Sequence, residues 1–288
     1  MRSSTENGKR RVLLLLLGAL LLAGCATGPG VTPGAISSAT TSAAPDLAPL
    51  AVRQALAPTG TLRIAAYVGS PTSLVRGSGV VGEERGVAVE VGRELARRLG
   101  VPAQIVVFER PADIVDGLKA GRADFTITNA SPARALDIDF TPPVLRLESG
   151  YLVAPASPMA TAAQVDAPGV RVGVTQGSSS QATLTRDLKA AQVVPLASVM
   201  VASAQLASGQ LQVFASNKGI LFDMADRVPG ARVLDGRWGL EQLAVGVPKG
   251  RDAAAAYLQA FVSSAAVQQL VRQAAQRAGL RGLATDTR

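Results

Sequence analysis

The chain has 288 residues, with 29 Lys and Arg against 21 Asp and Glu for a net charge of +8, a single cysteine and no histidine. The absence of histidine excludes Ser-His and Cys-His catalytic pairs and ordinary zinc sites, and one cysteine cannot form an intrachain disulfide. No block of Lys and Arg is interleaved with aromatics, so no nucleic-acid partner is expected and the mild basic excess reads as surface solvation.

The N-terminus combines Arg2, Lys9, Arg10 and Arg11 with an apolar run over 12–22 and then Leu22-Ala23-Gly24-Cys25. A basic start, a short apolar core and small residues form a bacterial export signal. The run is too short for a membrane-spanning helix, which needs about 20 residues, so residues 1–24 are expected to be removed. Leu-Ala-Gly-Cys resembles the lipobox of bacterial lipoproteins, which implies that Cys25 carries a lipid. The alternative is an ordinary secretory signal with an incidental cysteine. Residues 25–58 are rich in Ala, Thr, Ser, Pro and Gly, a composition expected to form a flexible tether.

Beyond residue 58, strand-like and helix-like segments alternate. Strands are expected at 62–67, 104–108, 124–128, 149–154, 171–175, 211–215 and 243–247, several of them short apolar runs like those of buried parallel strands. Val87, Val91, Leu95 and Leu99 recur every four residues before Gly100, which predicts an amphipathic helix with a glycine stop. Further helices are expected over 111–120, 199–208 and much of the stretch from 252 onward. The helices at 111–120 and 199–208 each lead through a glycine turn into a strand. This repeated unit favours two similar α/β lobes over one sheet.

The ordered motifs resemble the family 3 extracellular solute-binding proteins, the polar amino acid receptors of ABC importers. They are Gly60-Thr61-Leu62-Arg63-Ile64, Gly86-Val87-Ala88-Val89-Glu90-Val91 leading to Leu99-Gly100-Val101, and the segment from Leu118 to Asp124. Ser131-Pro132-Ala133-Arg134 with Asp139-Phe140-Thr141-Pro142-Pro143, the stretch from Val172 to Ser178, and that from Leu243 to Gly250 complete the set. The resemblance implies a two-lobed α/β fold of the type II periplasmic-binding-protein class, with a ligand cleft between lobes joined by a two-strand hinge. Lobe 1 would span 59–145 and 243–288, and lobe 2 146–242, with crossings near 143–148 and 239–243.

Arg134 is the first candidate for ligand binding. Ser131 is suited to cap a short helix and Pro132 to its first turn, so the arginine stands beside free backbone N–H groups, and a guanidinium offers a carboxylate two parallel donors. From the local residues alone it reads as a solvated surface arginine. The resemblance implies that Arg134 clasps a carboxylate, that Asn129 assists, and that Gly177 and Ser178 donate from lobe 2, with Ser179 and Ser180 nearby. The same Ser/Gly stretch also reads as a plain helix-capping turn.

Asn217 falls where amino acid receptors of the family usually carry an aspartate for the ligand's ammonium, which weakens the expectation of an α-amino group. Lys218 could favour a second anionic group, and Arg76 and Arg110 belong to loops that face the cleft in the family. Tyr67 follows the first strand, but Ser70, Pro71, Thr72 and Ser73 replace the usual aromatics. Trp238 is expected to pack at the second crossing.

The implied function is capture of a small polar solute, an amino acid or related small carboxylate or anion, by hinge closure, without catalysis and without a cofactor or metal. The implied partners are an ABC permease in the inner membrane with a separate ATPase subunit, and the membrane itself through the lipid on Cys25, on the periplasmic side of the envelope, with the protein a monomer by default. The rivals are a ligand-sensing module for a signalling partner and a dehydratase-like enzyme, for which Asp223 and Glu241 are the available carboxyl groups.

Overall fold

The computed structural model describes residues 47–76 and 84–284. The signal at 1–24, Cys25 and the larger part of the expected tether lie outside the described residues. The remainder of that tether is a correction to the sequence reading. Helix α1 (Leu50–Leu56) buries Val52 and Leu56, and Ala48 and Ala57 are also buried. Apolar residues four apart give this short segment one face to bury, and that face joins a core shared with the C-terminal helices.

Strand β1 (Leu62–Tyr67) follows, then the two-residue strands β2 (Val75–Arg76) and β3 (Glu84–Arg85), helix α2 (Val87–Leu99), strand β4 (Ala103–Phe108), helix α3 (Pro111–Lys119), strand β5 (Thr126–Asn129) and the single turn α4 (Pro132–Ala135). Gly100 ends α2 at φ 65°, in the left-handed region. The expected strand at 124–128 starts later because buried Asp124 is held by Arg63 at 2.7 Å and Arg251 at 3.3 Å.

Strand β6 (Ile138–Val153) runs 16 residues, where the sequence predicts only its end. It passes through Pro142 and Pro143, which are exposed; proline is tolerated where a strand has a free edge. Then come β7 (Arg171–Thr175), α5 (Ser179–Asp187), β8 (Gln192–Leu196), α6 (Val199–Ala207), β9 (Val213–Asn217), α7 (Lys218–Arg227), β10 (Arg232–Val233), β11 (Gly239–Pro248), α8 (Asp252–Ser263) and α9 (Ala265–Arg277). Strand β8 went unpredicted because it contains Pro195. It lies at the end of its sheet, the position that proline permits. The helical stretch from 252 breaks at Ser264, whose hydroxyl caps α9.

β1 pairs parallel with β4 and touches Phe125 through a bridge at Ile64. The larger sheet has the order β5-β11-β6-β9-β7-β8, so the long strands β6 and β11 belong to both ends of it. Its apolar residues divide accordingly. One group joins Leu62, Leu95, Phe125, Val245 and Phe261. Two others lie on opposite faces of the far end of the sheet, one around Val153, Val172 and Val213 and one around Leu152, Leu206 and Phe214. Leu152 and Val153 point to opposite faces because strand side chains alternate. Helices thus cover both faces, as buried parallel strands require.

A third connection lies behind the crossing strands. Glu148 N–H donates to Gly282 O and Ala284 N–H to Arg146 O, each at 3.0 Å, and Leu147 bridges Leu283. Arg281 pairs with Asp226 and lies 5.0 Å over the Phe222 ring, both on α7. Among the described residues no helix is long and apolar enough to cross a membrane.

Candidate functional site

The C-terminal ends of β1, β5, β7 and β9 converge, the place where open α/β sheets bind ligands. Tyr67, Asn129, Thr175 and Asn217 end those strands, and all four line a cavity of about 40 Å3. β11 adds Glu241 and Leu243 to the wall, and α4 adds Arg134.

Arg134 arrives there as the sequence predicts. Ser131 Oγ accepts from Arg134 N–H at 3.4 Å, with Pro132 at the first helical position. The guanidinium turns inward and donates to Thr128 Oγ1. Burial pulls its pKa down, opposed by the negative charge of Glu241. Asn129 is at the wall, but its Oδ1 already accepts from Gln242 N–H at 3.0 Å, fastening β5 to β11.

Ser178 lines the cavity and caps α5, with Oγ accepting from Gln181 N–H at 3.1 Å. The helix-capping reading of this turn holds, and Ser178 also reaches the cavity wall. Ser179 Oγ is buried at the same wall with no hydrogen-bond partner. Gly177 is beside the cavity and not in its lining; its N–H is taken by Gln181 Oε1 at 2.6 Å. At φ 72° it packs so closely on α3 that a Cβ there would lie 2.4 Å from that of Ala112.

Lys218 is not part of the lining. Its Nζ pairs with Glu148 Oε2 at 2.7 Å, and Arg237 approaches the other oxygen at 3.3 Å. Arg110 pairs with Asp113 at 2.7 Å and reaches Gln176 at 3.3 Å, outside the cavity wall. Arg76 does not line the cavity either. Thr72 does, while Ser70 and Thr72 bond each other at 2.8 Å and Ser73 accepts from Tyr67 N–H. Among the lining residues Tyr67 is the one aromatic. Trp238 packs at the crossing, donating to Gly150 O at 2.7 Å, with its ring 6.1 Å from that of Tyr151.

Glu241 was underweighted by the sequence reading. Burial raises its pKa, opposed by Arg134 and by a hydrogen bond from Asn217 Nδ2 at 3.2 Å. A signal existed: alternation from Leu243, Val245 and Val247 puts residue 241 on the inward side. Among the described residues no group of three or more metal-ligating side chains forms.

The sequence profile of the bacterial extracellular solute-binding proteins, family 3, matches residues 64–276. The chain belongs to that family. No curated protein matches it. Among solved structures, a solute receptor for L-cysteine of Neisseria gonorrhoeae is 20% identical with a TM-score of 0.70, over 81% of this chain and 99% of that one. An amino acid ABC transporter substrate-binding protein from Streptococcus pneumoniae bound to L-arginine is 18% identical with a TM-score of 0.69, covering 80% and 99%. An ancestral amino acid-binding protein, a precursor of cyclohexadienyl dehydratase, is 19% identical with a TM-score of 0.67, covering 78% and 98%. These likenesses concern the fold, which is the α/β periplasmic-binding-protein type II fold.

Proposed function

We propose that this protein is the substrate-binding component of an ABC importer, capturing an amino acid or related small carboxylate between its lobes and delivering it to a membrane permease. On this reading lobe 1 is 59–145 with 243–288, enlarged by α1, and lobe 2 is 146–242. The observation that carries the reading is Arg134, whose guanidinium is turned into the cavity and aligned by Thr128. Such a group is matched by a carboxylate, which accepts two parallel charged hydrogen bonds. The partnerless Ser179 Oγ adds a lobe 2 donor at the same wall, and a buried polar atom of that kind calls for a partner. Ligands bound to relatives of the fold, such as L-arginine, agree with the class.

Capture proceeds by hinge closure. The ligand docks on Arg134, lobe 2 brings Ser178 and Ser179 across, and exclusion of water strengthens each charged hydrogen bond. Cys25 would hold the protein to the membrane by lipid, raising its effective concentration near the permease, while a separate subunit hydrolyses ATP. The role requires no catalysis. Glu241 is the one carboxyl group of the cavity wall.

The test is a thermal-shift screen on residues 44–288, which form a compact unit, after unfolding and refolding to strip bound ligand. Binding to the native state raises the melting temperature by mass action. Amino acids or small carboxylates are expected to raise it and Arg134→Ala to abolish the rise. No shift across amino acids, carboxylates, amines and oxyanions would overturn the reading.

A further inference from the structure

The cavity wall carries one positive and one negative side chain, Arg134 and Glu241, and the rest of its lining is uncharged. Each feels the other's charge, yet among the described residues neither has a salt-bridge partner. Both therefore stand at the wall of one cavity without an ion-pair contact.

Glu241 keeps most of its acceptor capacity. An ionised carboxylate has about four lone-pair sites, and the hydrogen bond found on it comes from Asn217 Nδ2. Asn217 cannot turn away, because its Oδ1 accepts from Ile220 N–H at 3.1 Å as the cap of α7. Residue 217 thus lacks a carboxylate of its own and orients the one on β11.

The charge balance restricts the ligand. A molecule with one carboxylate and one nearby ammonium satisfies both wall charges. A dicarboxylate would aim its second anion at Glu241, since Lys218 and Arg110, the cations that might have received it, are taken by Glu148 and Asp113 outside the lining. A simple amine would leave Arg134 unmatched. A charged side chain on the ligand would find no further counter-charge in the lining, and Tyr67 is the one aromatic there.

We propose that Glu241, on a strand joining the two lobes, receives the ligand's ammonium in the place of residue 217, so that the ligand is a zwitterion whose side chain carries no charge of its own. The assignment rests on the capture reading above and adds the second pole of the ligand and the charge of its side chain.

Titration calorimetry of stripped residues 44–288 tests it with alanine, propionate, succinate and arginine, in the wild type and in Glu241→Gln. The wild type is expected to bind alanine at least about 30-fold more tightly than propionate, the scale set by an uncompensated buried charge, and to prefer alanine to succinate and arginine. Glu241→Gln is expected to lose that factor for alanine and to hold propionate as well as before or better.

A Gln variant that keeps the wild-type ratio of alanine to propionate would overturn the assignment. So would a wild type that binds propionate or succinate as tightly as alanine, or arginine more tightly; these comparisons need no variant. Binding of acids alone that disappears in Arg134→Ala sinks the Glu241 assignment and leaves carboxylate capture standing. Binding of none of the amino acids or acids sinks both.

Discussion

The side-chain amide of Asn217 donates to the carboxylate of Glu241 across 3.2 Å, tying the end of β9 to β11 at the cavity wall. An aspartate at 217 would set two carboxylates at that separation, and like charges so close cannot both ionise without cost. Asn217→Asp is therefore expected to destabilise the empty protein by about 1–3 kcal/mol at pH 7 to 8. The deficit should shrink as the pH falls and one of the pair takes a proton, which melting curves against pH will read.

Glu241 itself carries a pH signature. Burial raises its folded-state pKa above the ordinary 4.5, so the folded state binds the proton more tightly than the unfolded chain. The stabilisation that follows is complete below pH 4.5 and is lost as pH rises through the folded value. Without ligand, the wild type should thus lose stability relative to Glu241→Gln as pH climbs from 4.5. A difference in melting temperature that stays flat across that range would contradict it.

The opposite sign holds at Glu94. Hydrogen bonds from Arg97 and Arg98, working against desolvation, bring its pKa down to about 2. Its stabilisation is present above the ordinary 4.5 and is lost as pH falls through about 2. Glu94→Gln should cost about 0.5–1 kcal/mol at neutral pH, the scale of a partly exposed ion pair. Denaturant titrations at pH 7 and near pH 2 will show whether the gap closes.

Gly177 meets Ala112 of α3 where a Cβ has no space. Gly177→Ala adds that clash to the left-handed backbone cost of about 1–2 kcal/mol. The variant should bind ligand several-fold more weakly and have a larger radius of gyration by small-angle scattering, because the lobes cannot approach as closely. Unchanged affinity would place the contact outside the closing motion.

Much of this was legible in the residues. β1 and β7 are read to the residue because short apolar runs, Ile64-Ala65-Ala66 and Val172-Gly173-Val174, stand between turn residues, and Arg134 is found through the family motif that its Ser-Pro-Ala-Arg resembles, not through its local residues. Pro195 disguised β8, and Pro142 with Pro143 disguised the length of β6, because local propensity does not know that a strand lies at a sheet edge. Lys218 looked like a ligand cation because its partner, Glu148, is 70 residues away. Glu241 was passed over for a related reason. Its charge argues for the surface, and its inward direction follows only once β11 extends back past Leu243.

The segment at 280–284 flanks β6 on the side opposite β11. Residues 146–148 are thus bonded along both edges. Sliding that stretch along either neighbour would break backbone hydrogen bonds on one flank or the other. The tail therefore works as a second clasp on the crossing strand, so that stretch cannot shift register without losing bonds.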